Sequence, residues 1–423
     1  MMRYYVGVDW GDERHRVAVS DEAGRQVEAR WVEHTEAGFS AWGQWLNQAR
    51  QDGIELWAAI ERPDGRLVDF LLDHGLSVYP LNPKAVDRAR DRYRASSAKD
   101  DDFDAFVLSQ FLRTDHMHLR PLQPNSPAGE ELKLLTRDYQ DLIRQQTRVL
   151  NQLTHTLKEY YPLALELFSD LSAKGARDFL CSYPTAEKAA KVRAQTLAAF
   201  ARNYRWGEKQ LQATSTKLKQ KQIAVPAPVV RAKARKMVSL LRQLDVLVKQ
   251  VEEYRAEIER FFATRPAAEW SRSLPVGGAR VTVASIWAEL GDAEGRWESA
   301  AHLAAQAGTA PVTQASGKRR NGKQADVKRG TYHTQPLILF RYACNHRLRY
   351  LLTQYAFLSI THCEWARAYY KQQRARGHSH YRALRALAGK WAKIFYAMWA
   401  KKQPYDDDHH LASIARHQLR QAA

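Results

Sequence analysis

Residues 5–19, YVGVDWGDERHRVAV, carry the pattern that decides the fold of the amino-terminal part of the chain. Tyr4, Val6 and Val8 alternate with Tyr5 and Gly7 in a β-rich run that ends at Asp9. The next run, 16–19, has the pattern of its hairpin partner, and a third strand is predicted over 27–32. These three segments predict an antiparallel meander.

Helices and strands alternate after this meander. We predict a helix over 37–51, a strand over 56–60, a helix over 67–74, a strand over 77–81 and a helix over 98–113. Three antiparallel strands followed by β-α-β crossovers are typical of the ribonuclease-H-like order. The sequence therefore predicts an α/β domain over residues 1–118.

The charge is distributed unevenly along the 423 residues. Residues 1–115 carry 15 Lys and Arg against 21 Asp and Glu, a net charge of −6. Since the whole chain has a net charge of +19, the remaining residues carry +25. A basic body is typical of a protein that binds a phosphate backbone, because each neutralised phosphate releases counterions. A basic protein with no nucleic-acid partner is the alternative that charge alone leaves open.

Several classes of protein are disfavoured by composition. No run approaches the roughly eighteen apolar residues of a membrane span, and the amino terminus reaches charged residues too early for a signal peptide. Cys181, Cys344 and Cys363 are far apart, which disfavours a disulfide framework or a zinc knuckle. We expect a cytoplasmic protein without a membrane partner.

The rest of the chain is predicted to be mainly helical. Apolar residues recur at helical spacing over Glu130 to Tyr161 and over Val229 to Phe262, separated by a Pro-Ala-Pro break at 226–228. This pattern predicts an antiparallel helical or coiled-coil arm over 128–268, with dimerisation and simple helix packing both open.

A carboxy-terminal domain is predicted over 269–423. It begins with helices over 281–290 and 299–307, continues through a polar loop at 316–323, and returns to helices over 335–399. The Trp and Tyr residues of that last stretch recur at helical spacing and are expected mainly in the core.

Four carboxylates in the first domain are candidates for a metal site. Asp9 and Glu61 end the first and fourth predicted strands, and Asp101 and Asp104 share one face of a predicted helix. Two-metal phosphoryl transfer needs several carboxylates converging on ions roughly 3.5–4 Å apart, because Mg²⁺ takes hard oxygen ligands. Each residue taken singly is better explained as a turn former or surface ion pair; the set of four is the stronger signal.

The motifs together resemble a known family. The 5–19 stretch, Ile60-Glu61, Leu81-Asn82-Pro83 and the run AKDDDFDA at 98–105 are similar to the DEDD-type, RuvC-like domain of bacterial transposases of the insertion-sequence-110 family. The resemblance continues through the 135–162 helix, the 275–291 segment, Gly-Thr-Ala-Pro at 308–311 and Ser316-Gly317, and the 365–405 region. It therefore covers most of the chain in the family's order.

This resemblance implies a mechanism and partners. It implies that the carboxylates bind Mg²⁺, with Mn²⁺ as a substitute, and that Ser316 attacks DNA to form a covalent phosphoserine. It implies donor and target DNA, a structured noncoding guide RNA called the bridge RNA, and a dimer or tetramer in which the carboxylate domain of one subunit meets the serine domain of another. It also implies association with the bacterial nucleoid.

Further residues follow from the same resemblance. Pro275 to Gly278 resembles a helix-hairpin-helix turn, which grips phosphate through backbone amides; a plain helix connector is the alternative. Asp100 is the alternative to Asp101 as third ligand, since family members commonly have Lys-Thr-Asp where this chain has Lys99-Asp100-Asp101. The basic residues near Ser316 are interpreted as phosphate contacts; they are Lys318, Arg319, Arg320, Lys328 and Arg329.

Three other functions compete with a transposase. An actin-like ATPase shares the Val8-Asp9-Trp10-Gly11 pattern but needs a second glycine-rich phosphate loop, which the sequence lacks. A RuvC-like Holliday-junction nuclease has the carboxylate domain without the helical arm and the serine domain. A catalytically inactive nucleic-acid-binding regulator has no need of the four carboxylates or the Ser-Gly loop.

Overall fold

The stretch around Gly7 forms the central strand of a five-stranded sheet in the computed structural model of the chain. The structure describes residues 2–63, 65–93, 100–220, 222–277, 280–314, 324–326, 331–333 and 337–422. The chain divides into two compact units, Met1–Pro124 and Asn125–Ala423. The first ends close to the predicted boundary at 118, and the second contains both the predicted arm and the predicted carboxy-terminal domain.

The first unit alternates strands and helices as predicted. Its elements in chain order are β1 (Arg3–Asp9), β2 (Arg14–Ser20), β3 (Gln26–Glu33), α1 (Glu36–Gln51), β4 (Glu55–Ile60), α2 (Arg66–Asp73), β5 (Ser77–Pro80), α3 (Pro83–Arg90) and α4 (Asp101–Asp115). The sheet order is β3-β2-β1-β4-β5, with β1, β2 and β3 antiparallel and β4 and β5 parallel to β1. The predicted meander and crossovers are thus confirmed, and α3 was not predicted.

Apolar side chains on the two faces of this sheet enter two separate cores. Val6 and Val8 of β1 pack with Trp42 of α1 and Leu71 of α2. Tyr5 points the other way and packs in the cluster that contains Leu108 of α4. Because successive side chains of a strand point to opposite faces, helices cover the sheet on both sides.

The second unit is mainly helical. Its helices before residue 311 are α5 (Pro127–Tyr160), α6 (Leu163–Leu167), α7 (Lys174–Ser182), α8 (Ala186–Ala190), α9 (Ala194–Asn203), α10 (Glu208–Leu218), α11 (Ala227–Ala263), α12 (Pro266–Trp270), α13 (Arg280–Leu290) and α14 (Ala300–Gln306). The remaining elements are β6 (Pro311–Gln314), β7 (Gln324–Asp326), β8 (Thr331–His333), β9 (Leu337–Phe340), α15 (His346–His362), α16 (Glu364–Ala375), α17 (His380–Lys401) and α18 (Asp407–Ala422).

The two long helices α5 and α11 run antiparallel to each other. The start of α5, at Leu132, shares a core with the end of α11, at Ile258. The end of α5, at Leu157, shares a second core with Met237 near the start of α11. The predicted pairing of two long helices is therefore present; a coiled-coil geometry and a dimer stay predictions.

One prediction in the carboxy-terminal region is wrong. Residues from 335 onward were expected to be helical, yet 337–340 form strand β9, which pairs antiparallel with β6. A short apolar run such as Leu-Ile-Leu-Phe fits a strand or a buried helix equally well by periodicity, and the pairing partner decides between them. Tyr355 and Trp391 are fully buried, as expected for core residues. Within the described part of the chain, no helix has the length and apolar character needed to cross a membrane.

Candidate active site

The ends of two adjacent strands place the first two carboxylates side by side. Asp9 is the last residue of β1, and Glu61 follows Ile60 at the end of β4. The strands are parallel, with Val8 opposite Ile60, so the next residue of each lies at the same edge of the sheet. Both side chains are half-buried.

Gly7 allows α4 to lie directly against β1. A Cβ atom at this position would collide with the carbonyl oxygen of Ala105 and lie 2.5 Å from the amide nitrogen of Ser109. Any side chain here would push the helix off the strand. The close approach sets the depth of the helix that carries Asp101 and Asp104.

A buried chain of hydrogen bonds fixes the register of α4 against β2. Gln110 Nε2 donates to Ser20 Oγ at 2.9 Å and to Gly24 O at 3.0 Å. Ser20 Oγ lies 2.9 Å from Ser109 Oγ, which donates to Phe106 O at 2.8 Å. Since Ser20, Ser109 and Gln110 are all buried, losing one partner would leave another unsatisfied.

Three of the predicted carboxylates act electrostatically on the fourth, Asp9. Burial, and then the negative charges of Asp104, Asp101 and Glu61 in that order of size, together raise the pKa of Asp9 to about 6. Carboxylates that share a site resist ionising together. The structure therefore brings together the four residues that were singled out from the sequence.

An arginine that the sequence analysis missed also belongs to this site. Arg90 is the last residue of α3, and its Nη2 lies 2.8 Å from Oδ2 of Asp104, which is only 5% exposed. Its positive charge opposes the rise in the pKa of Asp9. Nothing in the sequence around Arg90 distinguishes it from its exposed neighbour Arg88, because the pairing joins residues on different helices.

The three consecutive aspartates at the start of α4 have different roles. Asp100 caps the helix, and its Oδ1 accepts a hydrogen bond from Asp102 N at 3.1 Å. Asp102 forms an ion pair with Arg16. The charge of Asp101 acts on Asp9. This division agrees with Asp101 as a ligand, an assignment that stays a prediction.

The candidate donors are of the type that Mg²⁺ prefers, but their present arrangement does not form a metal site among the described residues. Every candidate donor is a carboxylate oxygen, and their mutual repulsion would be relieved by a cation. Among the residues that the structure describes, however, no group of three or more His, Cys, Asp or Glu side chains is arranged to hold a metal. The Arg90 guanidinium meets Asp104 instead.

A buried histidine holds the turn after Asp9. His15 Nδ1 accepts a hydrogen bond from Gly11 N at 3.3 Å, so the neutral ring carries its proton on Nε2, 2.8 Å from Nδ1 of His34. Burial, with the charge of His34, lowers the pKa of His15 to about 4. The sequence analysis did not single out this residue.

The predicted nucleophile lies outside the described residues. Ser316 follows β6 by two positions, and Lys318, Arg319, Arg320, Lys328 and Arg329 also lie outside the described residues, as does Gly278 of the predicted phosphate-binding turn. What the structure shows is the base of the segment that carries the serine. There β6 pairs with β9, with Gln314 opposite Leu337, while β7 pairs with β8.

A buried ionic network anchors this base. Glu289 on α13 is 3% exposed, and its oxygens receive Nε and Nη2 of Arg137 at 2.8 and 3.1 Å. Asn345 Nδ2 donates to Glu289 at 2.6 Å, and its backbone N–H donates to Gln306 O at 2.7 Å. The hydrogen bonds of Arg137 and Asn345 outweigh burial and lower the pKa of Glu289, so that it stays ionised.

Two sequence families match separate parts of the chain. One, described as a DEDD transposase of the IS110 type, matches residues 6–162, which include the strand ends and all four carboxylates. The other, described as a transposase of the IS116/IS110/IS902 family, matches residues 272–371, which include Ser316.

Relatives match over nearly the whole length. The mini-circle protein of IS117 from Streptomyces coelicolor, which is named as a transposase, is 30% identical over 97% of both chains. An IS116 protein of Streptomyces clavuligerus is 28% identical over 95% of this chain and 96% of its own. An IS110 protein of Streptomyces coelicolor is 28% identical over 93% of both. By its sequence and by the order of its parts, the chain belongs to the IS110 family of insertion-sequence transposases.

Proposed function

We propose that this transposase cuts and rejoins DNA at a Mg²⁺-dependent, RuvC-like carboxylate site, with Ser316 as nucleophile and a bridge RNA as guide. The observation that carries the proposal is the clustering of four carboxylates at two strand ends and one helix, where the charges of three of them raise the pKa of the fourth, Asp9. Such a cluster of negative charges is unfavourable without a cation. Metal ions held by clustered carboxylates typically serve phosphoryl transfer, where they stabilise the negative charge of the transition state.

Each residue of the cluster has its own part. Asp9 and Glu61 lie on the sheet, which holds their carboxylates rigidly, and Asp101 and Asp104 come from the first turn of α4. These four carboxylates would hold the metal. Bound Mg²⁺ supplies charge stabilisation at the attacking and leaving oxygens. The sheet, Gly7 and the buried Gln110 network keep the four donors at a fixed depth.

The covalent step conserves the energy of the phosphodiester bond. A bond forms between Ser316 Oγ and phosphorus, the bond from phosphorus to a sugar oxygen breaks, and the serine proton ends on the departing hydroxyl. Attack by a hydroxyl of the recombining strand reverses the exchange and frees the serine. Strand joining therefore needs no nucleotide cofactor.

The basic region from residue 116 to the end of the chain supports nucleic-acid partners. Its net charge of +25 suits donor and target DNA and the bridge RNA, and Lys318, Arg319, Arg320, Lys328 and Arg329 would contact phosphates. We further propose a homo-oligomer, dimer or tetramer, that acts at the bacterial nucleoid.

The test is reconstitution of one strand exchange. Purified protein is mixed with RNA transcribed from the flanks of its own element, matched donor and target DNA, and Mg²⁺. The wild type is expected to give a recombined junction and a protein–DNA adduct that survives denaturing electrophoresis. Asp9→Ala and Ser316→Ala are expected to give neither, whereas Asp12→Asn, an exposed neighbour, and Ser273→Ala, an exposed serine of the same unit, retain both.

Each failure has a separate meaning. An adduct formed by Ser316→Ala would place the nucleophile elsewhere. Cleavage of four-way junctions without any adduct would favour a Holliday-junction nuclease. DNA and RNA binding without cleavage by the wild type would favour a catalytically inactive regulator. Equal recombination without RNA would refute guidance.

A further inference from the structure

Arg90 is held inside the carboxylate cluster by two aspartates. Its Nη2 lies 2.8 Å from Oδ2 of Asp104 on α4, and its Nη1 lies 3.3 Å from Oδ1 of Asp87 on its own helix. The arginine side chain is 28% exposed, whereas that of Asp104 is 7% exposed. Asp104 therefore has its negative charge balanced by a guanidinium that retains access to solvent.

The same guanidinium has one N–H donor without an acceptor among the described residues. Within the described residues, Nε of Arg90 is buried and has no acceptor. An arginine presents five donors in a rigid plane that matches two oxygens of a carboxylate or phosphate. The planar edge formed by Nε and one Nη is the edge that binds a phosphate in bidentate fashion. The present pairing leaves Arg90 with capacity to bind a phosphate.

The pairing also occupies one of the carboxylates that would hold a metal. Asp104 is the most buried of the four, and Arg90 meets it where a divalent ion would need one of its oxygens. The arginine charge reaches Asp9 as well. A metal ion entering the cluster must thus compete with a cation that is already present.

We propose that Arg90 is an exchangeable counter-ion of this site: it pairs with Asp104 before a divalent cation binds, and then turns to a phosphate of the bound DNA. The proposal rests on the proposed metal site. It assigns Arg90 a direct contact with the nucleic acid. It also makes metal binding and DNA binding mutually favourable. The metal ion becomes the new partner of Asp104 when Arg90 turns to the DNA, and the DNA phosphate becomes the new partner of Arg90 when the metal ion binds Asp104.

Metal affinity measured without nucleic acid tests the first half. Full-length wild type, Arg90→Gln and Arg88→Gln are titrated with Mn²⁺ by isothermal calorimetry; Arg88 is an exposed arginine on the same helix. We expect Arg90→Gln to bind the ion about tenfold more tightly, the size of one ordinary charge interaction, and Arg88→Gln to match the wild type. Thermal unfolding without metal is expected to occur at lower temperature in Arg90→Gln, with recovery on adding Mn²⁺.

Strand cleavage at saturating metal tests the second half. There Arg90→Gln is expected to form the protein–DNA adduct about a hundredfold more slowly, since one charged contact to the reacting phosphate is lost. Arg90→Lys keeps the charge without the planar fork, so we expect metal affinity near that of the wild type and slow cleavage. This second variant keeps the test informative if Arg90→Gln folds poorly.

The outcomes separate the two proposals. Unchanged or weaker Mn²⁺ binding by folded Arg90→Gln, or full cleavage at saturating metal, overturns the role of Arg90 alone. If Asp9→Asn binds Mn²⁺ as well as the wild type, the carboxylate metal site itself is wrong, and the role of Arg90 falls with it.

Discussion

The substitution Asp9→Asn is expected to stabilise the first unit at neutral pH while it abolishes strand cleavage. The pKa of Asp9 is raised to about 6 by burial and by the neighbouring carboxylates. A raised acid pKa means that the folded chain holds this proton more tightly than the unfolded chain. The contribution of Asp9 to stability is therefore lost as pH rises from about 4 to about 6, and above that range its charge opposes folding.

The magnitude follows from the shift. From 3.8 to about 6, at about 1.36 kcal/mol per unit, the upper bound is about 3 kcal/mol. Asp9 is partly exposed, and solvent screening reduces the expected gain to about 1–2 kcal/mol. Asparagine keeps the size of the side chain and removes its charge, so the gain should be present at pH 7.5 and absent at pH 4.

Hydrogen exchange in metal-free buffer measures this effect locally. Peptides covering β1 and β4 are followed by mass spectrometry in wild type, Asp9→Asn and the exposed control Asp12→Asn, and rates are corrected for the intrinsic effect of pH. We expect Asp9→Asn to exchange more slowly than the wild type at pH 7.5 and at the same rate as the wild type at pH 4. Faster exchange at pH 7.5, or equal protection at both pH values, would refute the electrostatic reasoning. Added Mg²⁺ should protect the wild type and leave Asp9→Asn unchanged.

Three further perturbations test other parts of the structure. Gly7→Ala should lower the stability of the first unit by about 1–3 kcal/mol and reduce Mn²⁺ affinity, because the new methyl group displaces α4; equal urea midpoints for variant and wild type would contradict the close approach. Glu289→Ala should destabilise the second unit by about 3–5 kcal/mol in thermal or urea unfolding, since it leaves Arg137 without its buried partner, and the double variant Arg137→Ala/Glu289→Ala should lose less than the two single losses combined. RNA affinity measured by fluorescence anisotropy should fall about a thousandfold or more between 50 and 200 mM salt if six or more phosphates are contacted, and a change below tenfold would mean that the net charge of +19 contributes little.

Local patterns predicted the first unit well. The alternating residues of β1 and the apolar run before Glu61 both indicate strands. The partner β2 of β1 is next in sequence, and β4 reaches β1 through a single crossover. Once the strands are assigned, the position of Asp9 and Glu61 follows from the parallel pairing. The depth and register of α4 against the sheet could not be predicted. They depend on the absence of a Cβ atom at Gly7 and on the buried hydrogen bonds of Gln110.

Features that join distant parts of the chain could not be predicted. The ion pair of Arg90 with Asp104 and that of Arg137 with Glu289 each connect separate helices, and the sequence does not mark which arginine has a buried partner. Strand β9 was mistaken for helix because its four residues carry no period of their own. In each case the deciding contact is made by a residue far along the chain.

The shared membership of α5 and α11 in two cores has a mechanical consequence. At 1.5 Å per residue, a helix of 34 residues such as α5 is roughly 50 Å long, and each of its ends is packed into a different core. A tilt of about five degrees at one core would displace the other by roughly 4 Å, because the two helices brace each other against bending. The pair is thus a stiff connection, in which a small rotation at the core that contains α13 becomes a displacement of several ångströms at the core that contains α7.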